Sequence, residues 1–159
     1  LIETLSGLVL QHYDDFLRQF IILSFFIPML LNAGGTAGSQ TSTLIIRGIA
    51  TGEIVIKDIF KIILKESLSA ILISAILSLI VIVRVLLIKN TEVDLVKVIL
   101  VISLTLVFVV WFGSILAAIS PLIVKKIGWD PAVMSGPLVT TAIDVIGLVI
   151  YFRIATWFL

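Results

Sequence analysis

Asp144 is where most of the available chemistry converges. It is the only charged residue between Asp130 and Arg153. Counting from Pro131 to Trp157 puts it at the midpoint of a long apolar helix. A carboxylate at mid-bilayer depth costs at least about 2.5 kcal/mol, so it must face a partner or a wet cavity. There it can bind a cation, or, if protonated, hydrogen-bond between helices. Gly136, Thr140, Asp144, Gly147 and Tyr151 follow at steps of three or four and share one helical face. Such a narrow, polar, partly glycine stripe suits either a pore lining or a close helix contact, and the carboxylate favours the pore.

A second set of groups lies in Asn32-Ala-Gly-Gly-Thr-Ala-Gly-Ser-Gln-Thr-Ser-Thr43. Gly34 and Gly38, four apart, fit the small-residue spacing that lets helices approach closely. Asn32, Thr36, Ser39, Gln40 and Thr41 add more hydrogen-bonding groups than lipid would tolerate. Backbone bent by glycine at membrane depth, here around Gly34 and Gly35, is acceptable where it lines a water-filled path. A nucleotide P-loop does not fit, since no Gly-Lys-Ser/Thr closes the stretch. Asp130-Pro131 reads as the start of the last helix, with Asp as N-cap and Pro at its first position. Pro137, about two turns further on, is expected to free the carbonyl of Val133 and bend the helix beside Gly136. That carbonyl could coordinate a cation or its water; a packing kink is the alternative. His12, beside Tyr13, Asp14 and Asp15, reads as a solvated turn rather than a metal site. Trp111, Trp129, Tyr151 and Trp157 read as interface anchors or lipid-facing bulk.

The elements that must position these groups follow from composition. Of 159 residues 60% are hydrophobic and 13% charged, with a mean hydropathy of +1.30. Soluble domains carry about 25% charge, so an ordinary globular protein is excluded. The net charge of +1 leaves no basic excess for a nucleic-acid backbone. With no cysteine and one histidine, thiolate zinc, iron–sulfur clusters, disulfides and thiol catalysis are excluded too. A bilayer-spanning helix takes about 20 apolar residues. The long charge-free runs are Gln19–Ile46, Ser67–Val83, Val98–Val124 and, interrupted by Asp144, Pro131–Phe152. Thr4–Leu10 is too short to span and is expected to end a truncated first helix, giving an all-α membrane protein of five transmembrane helices. No leader with a cleavage site precedes it, and a chain beginning at Leu1 suggests a fragment.

Between the second and third runs, Glu53, Lys57, Lys61 and Lys65 recur every four residues, leaving Ile56, Ile59, Phe60 and Ile63 for another face. This segment is expected to lie along the membrane interface, with a plain helical extension as the alternative. Arg47, Lys57, Lys61, Lys65, Lys125 and Lys126 fall on one side of the membrane, Arg18, Arg84, Lys89, Lys97 and Arg153 on the other. Six against five makes the Arg47–Glu66 and Lys125–Asp130 loops weak cytoplasmic candidates.

Three stretches together resemble the transmembrane domain of the MgtE family of magnesium channels, itself related to a family of eukaryotic solute carriers. They are Pro28-Met-Leu-Leu-Asn-Ala-Gly-Gly-Thr-Ala-Gly-Ser-Gln-Thr41, Arg47-Gly-Ile-Ala-Thr-Gly-Glu53, and Asp130-Pro-Ala through Pro137 to Thr140-Thr-Ala-Ile-Asp144-Val-Ile-Gly147 and Tyr151-Phe152. The resemblance implies a homodimer of five-helix protomers, with the second and fifth helices of both subunits around one ion path on the two-fold axis. It implies that Asp144 meets its symmetry mate around a hydrated magnesium ion, with Thr140 one turn away in the pore. Gly136, Asn32, Gly34, Gly35 and Thr36 are then the further pore-lining candidates, and Asp130 and Thr141 accessory ones. Magnesium, with other divalent cations, is the implied transported ion, and the partners are a second copy and membrane lipid, not nucleic acid. The resemblance also implies a cytoplasmic Glu53–Lys65 helix and an extracytoplasmic carboxyl end, in a bacterial or archaeal plasma membrane. Where the family commonly has Asn in Gly-Gly-x-Ala-Gly, this chain has Thr36. The family's cytoplasmic helical domain and paired CBS modules have no counterpart in these residues, so residues 1–159 are expected to be one transmembrane ion-channel domain.

Passive conduction is the expected mechanism. A proton- or sodium-coupled transporter of divalent cations is the rival, since broken helices at mid-membrane are common in such proteins. An intramembrane aspartyl protease needs two carboxylates in complementary protonation states, whereas one is present per chain, so no enzyme activity is expected. A purely structural anchor leaves the buried carboxylate and the polar glycine stretch unexplained.

Overall fold

The computed structural model describes residues 2–87, 94–134 and 137–159. The elements are α1 (Ile2–His12), α2 (Asp14–Gln19), α3 (Ile21–Ser24), α4 (Ile27–Ala50), α5 (Ile59–Leu86), α6 (Leu95–Ile127) and α7 (Pro137–Phe158). Short 3-10 turns occupy Ile56–Asp58 and Pro131–Met134. The described residues contain no strand. Four segments among them are long and apolar enough to cross a membrane: Ile21–Ala50, Ile56–Leu86, Leu95–Ile127 and Pro137–Phe158. These match the four charge-free runs. The segment expected to close a fifth span, α1, has 11 residues and reaches about 16 Å, half a bilayer core.

Two apolar clusters sit at opposite ends of the bundle and fix its up-and-down course. One gathers Ile22, Phe26 and Leu30 with Val81, Val85, Val98, Ile102, Leu148 and Phe152. The other gathers Ile45 and Ile49 with Ala118, Leu122 and the flanking Ile54, Ile59 and Ile62. The last turns of α4 and α6 therefore share an end with the first turns of α5. Short α1 is held at the other end, where Tyr13 just beyond it stacks on Phe152 at 4.3 Å between ring centres. Local chemistry sets the boundaries. Asp94 opens α6 by accepting from the Val96 N–H at 3.0 Å, and Gly128 closes it at φ +88°, in the left-handed region glycine tolerates. Gly52, at φ +76°, turns the chain after α4 so that the Ile54 N–H reaches back to the Gly48 carbonyl at 2.9 Å.

The structure corrects several expectations. The Glu53–Lys65 segment is not a separate interfacial helix: from Ile59 onward it is the opening of α5 and runs straight into the membrane span, as the extension reading required. Helical hydrogen bonding continues through Ser67, so nothing separates the lysine face from the apolar run behind it. Nor does glycine bend the Asn32–Thr43 stretch, since α4 is continuous from Ile27 to Ala50. Its glycines are spent on close packing instead. Pro131 opens a 3-10 turn rather than the last helix, which runs from Pro137 to Phe158, and the bend expected beside Gly136 lies outside the described residues. Asp144 then lies about two turns from the start of α7 rather than at its midpoint.

Candidate functional site

The face of α4 bearing Asn32, Gly35, Thr36 and Ser39 meets the first turns of α7 along a groove of about 540 Å³. Pro28, Leu31 and Gln40 complete the α4 wall, and Thr140 and Asp144 form the other. Helical geometry explains the set, because residues 28, 32, 35/36 and 39/40 lie one above another at steps of three and four. Gly35 sits at the crossing. A Cβ built on it would lie 3.6 Å from Asp144 Oδ1 and 3.7 Å from Thr140 Cγ2, so the absent side chain leaves the carboxylate accessible along the groove.

Hydrogen bonds preset the polar groups. The Thr36 hydroxyl donates to Asn32 Oδ1 at 3.2 Å, both side chains being exposed on the edge of the protomer. The Thr140 hydroxyl donates to the Pro137 carbonyl at 3.1 Å. Its proton is thereby directed backwards and its lone pairs are left to accept from whatever occupies the groove. Asp144 is half-buried and is the one charged side chain among the groove's lining residues. A lone carboxylate ringed by hydroxyls and amides attracts a cation and can hold its water shell through oxygen acceptors. It does not by itself form the multi-ligand cage that a stripped ion needs.

Of the residues singled out from the sequence, Asp144, Thr140, Asn32, Gly35 and Thr36 come together here. Gly34 does not. It points away from the groove, where an added Cβ would sit 2.5 Å from Val109 Cγ1 and 3.0 Å from Ile143 Cγ2. Gly136 lies outside the described residues. Thr141 donates its hydroxyl to the Pro137 carbonyl and is not among the lining groups. Asp130 is exposed in the loop before α7, accepting from the Ala132 N–H at 2.9 Å, and also stands apart from the groove. The lower part of the proposed α7 stripe turns inward as well. Gly147 is buried near Val109. Tyr151, expected as an interface anchor, is 1% exposed and donates to the Leu23 carbonyl at 2.9 Å. Trp129 and Trp157, by contrast, are exposed as expected of membrane-facing rings. Ser39 and Gln40 were legible as polar residues of α4; the step of four from Asn32 through Thr36 to Gln40 is the signal that puts them beside the site.

Four apolar spans define an integral membrane protein, and a polar groove with one carboxylate suits a small cation. The profile of the MgtE family, described as a divalent cation transporter, matches residues 27–154. The chain belongs to that family. It is 36% identical over 159 residues to the magnesium transporter MgtE of Bacillus subtilis, covering 99% of this chain and 34% of that protein. With the magnesium transporter MgtE of Thermus thermophilus it shares 36% identity over 148 residues, 92% of this chain and 32% of the relative. The corresponding protein of Enterococcus faecalis is 26% identical over 151 residues, 95% of this chain and 32% of the relative. The chain thus spans about a third of the length of these relatives. A family of transporters gives the aspartyl-protease alternative no support.

Proposed function

We propose that the chain is the transmembrane domain of a passive magnesium channel. In this reading two copies face each other across a two-fold axis, and their α4 and α7 helices enclose the ion path. The observation that carries the reading is the groove itself: a half-buried carboxylate opposite a glycine, on an edge where Asn32, Thr36 and Gln40 are exposed in the single protomer. Polar groups turned to hydrocarbon are costly, so such an edge calls for a second polar surface and water. A second copy supplies both, and brings a second Asp144. Magnesium holds its waters tightly and is usually bound through one or two carboxylates with several waters kept. Paired Asp144 side chains supply the attraction, while Thr140, Asn32 and Thr36 accept from the bound waters. A double charge gains about 4.6 kcal/mol per 100 mV of favourable potential, which is ample drive without coupling. We assign the end carrying Arg47, Lys57, Lys61, Lys65, Lys125 and Lys126 to the cytoplasm of a bacterial or archaeal cell, and the carboxyl end to the outside.

The test is reconstitution in liposomes holding a magnesium-sensitive dye. Magnesium should enter down its gradient, faster with a negative interior, and equally with or without proton and sodium gradients. Entry that requires one of those gradients would assign a coupled transporter of divalent cations instead. Failure of any imposed gradient to move magnesium would overturn transport by this chain.

A further inference from the structure

A second groove, of about 610 Å³, lies between the last turns of α4 and the first turns of α5 and shares no lining residue with the first. Its basic residues are Arg47, Lys61 and Lys65, and its apolar wall includes Leu44, Ile45 and Ile62. Glu53, Asp58 and Glu66 also line it, so its formal charge is balanced, but the balance is not one of ion pairs. Asp58 Oδ2 accepts the Val55 N–H at 3.1 Å. Glu66 Oε2 accepts the Thr41 hydroxyl at 2.7 Å, across to α4. Among the described residues the only ion pair is Arg18 with Asp14. These hydrogen bonds leave both carboxylates charged but turn the half-buried Asp58 and Glu66 towards the fold, whereas Arg47, Lys61 and Lys65, like Glu53, are exposed and open to an outside ligand.

What that is follows from where the groove stands. The candidate span Ile56–Leu86 begins here, and the end of a spanning helix is where hydrocarbon gives way to headgroups. Lys57 in the 3-10 turn and Lys61 and Lys65 in the first turns of α5 are all exposed, and the side chains beside them are exposed and apolar: Phe60 at 77%, Leu64 at 56% and Leu68 at 59%. Leu44, at the groove's α4 edge, is 61% exposed. Cations alternating with bare apolar side chains ask for a ligand that is anionic at one end and hydrocarbon at the other. A free anion uses only the lysines. An acidic protein segment leaves Phe60 and Leu64 bare.

From this juxtaposition we infer that the α4–α5 groove is a binding site for an anionic phospholipid. Its phosphodiester lies among Arg47, Lys61 and Lys65, and its acyl chains lie along Leu44, Leu64 and Leu68. The lysine stems run along the apolar surface and lift their ammonium groups to the phosphate level. The Ile54–Gly48 contact and the Thr41–Glu66 hydrogen bond hold the two walls in register before the lipid arrives.

Native mass spectrometry of the detergent-purified protein, titrated with phosphatidylglycerol or with phosphatidylcholine of the same acyl chains, tests the site. Each basic residue near an anionic phosphate contributes about fivefold in affinity, so the protein should prefer phosphatidylglycerol by about tenfold or more. Lys61→Gln with Lys65→Gln should reduce that preference to about twofold or less, and Lys61→Arg with Lys65→Arg should keep it. Lys125→Gln with Lys126→Gln removes the same charge from the same end of the bundle and should leave the preference intact. Should the glutamine pair prove unfolded by circular dichroism, Arg47→Gln, at an exposed helix end, takes its place. Equal binding of both lipids by the unaltered protein would overturn the inference and leave the groove to an acidic protein segment. An equal loss in the Lys125 and Lys126 variant would reduce it to diffuse attraction. Displacement of phosphatidylglycerol by millimolar inorganic phosphate would assign a free-anion site instead.

Discussion

Gly34 and Gly35 are consecutive residues of one regular helix, and the structure uses them on different faces. A Cβ on Gly34 meets Val109 and Ile143 at 2.5 and 3.0 Å, too close for either to remain in place. One turn on, a Cβ on Gly38 collides with Ile143, and across the contact Gly113 brings its own backbone against the Gly34 carbonyl. This face is glycine because α4, α6 and α7 cross there with no room for a side chain. On Gly35 the same atom finds only ordinary contacts of 3.6 to 3.8 Å with Asp144 and Thr140. Nothing in the packing demands glycine at that position. What Gly35 preserves is open groove in front of the carboxylate. Two glycines that look alike in a motif are therefore separable by what each excludes: at Gly34 a backbone approach, at Gly35 the filling of a polar cleft.

The strongest way to break this comparison is to empty the groove of its charge. Asp144→Asn keeps the shape and removes the attraction, and a charged hydrogen-bonding partner is worth about 1.5–3 kcal/mol. Magnesium flux into liposomes should fall at least about tenfold, with the elution volume and helix content of the protein unchanged. Near-normal flux in a well-folded Asp144→Asn protein would detach the carboxylate from the ion path.

The glycines themselves come next. Gly34→Ala and Gly38→Ala each force an overpacked contact costing about 1–3 kcal/mol, to be read as a lower thermal unfolding midpoint in detergent. Gly35→Ala meets no such conflict, and alanine is the better helix former by about 0.8–1.0 kcal/mol, so its midpoint should hold or rise. Its flux should nevertheless drop severalfold, because the new methyl stands in front of Asp144. The crossed pattern is the prediction: stability lost at Gly34 and Gly38, flux lost at Gly35 without loss of stability. Parallel losses at all three would collapse the two faces into one.

How far the sequence carried these conclusions depends on the kind of signal. Charge-free runs located the four spans because burying charge in hydrocarbon is a large, local penalty that any ruler along the chain detects. Asp144 stood out for the same reason. Which face of α4 meets which neighbour is a weaker signal, since the Asn32–Thr43 stretch mixes small and polar residues on every face. Gly34 accordingly read both as a close-packing glycine and as a pore candidate, and within the protomer it packs against Val109 and Ile143. The expectations placed on Pro131 and on Glu53–Lys65 failed at element boundaries. A proline is equally at home opening a 3-10 turn or an α-helix, and a lysine stripe is equally stable on an interfacial helix or on the first turns of a spanning one. Tyr151 hid its role because its partner is the backbone carbonyl of Leu23, 128 residues away.

The finest expected effect is on ion choice at Thr140, one turn before the carboxylate. Because its hydroxyl proton is committed to the Pro137 carbonyl, the oxygen faces the groove as an acceptor. It can therefore bind the water of a hydrated ion and has no donor to offer an anion. Magnesium presents such waters persistently, whereas calcium sheds them and takes direct oxygen ligands at about 2.3–2.6 Å. Thr140→Val keeps the side-chain shape and deletes the acceptor; Thr140→Ala deletes both. Magnesium flux should persist in each, since Asp144 still supplies the charge, while the ratio of magnesium to calcium permeability should shift. A shift of the same size in both variants would trace the discrimination to the hydrogen bond. A shift in Thr140→Ala alone would trace it to the width of the groove. If neither variant changes the ratio, Thr140 does not read the hydration shell. The discrimination would then belong to the facing wall, where the Asn32 and Thr36 pair offers the other set of oxygen acceptors.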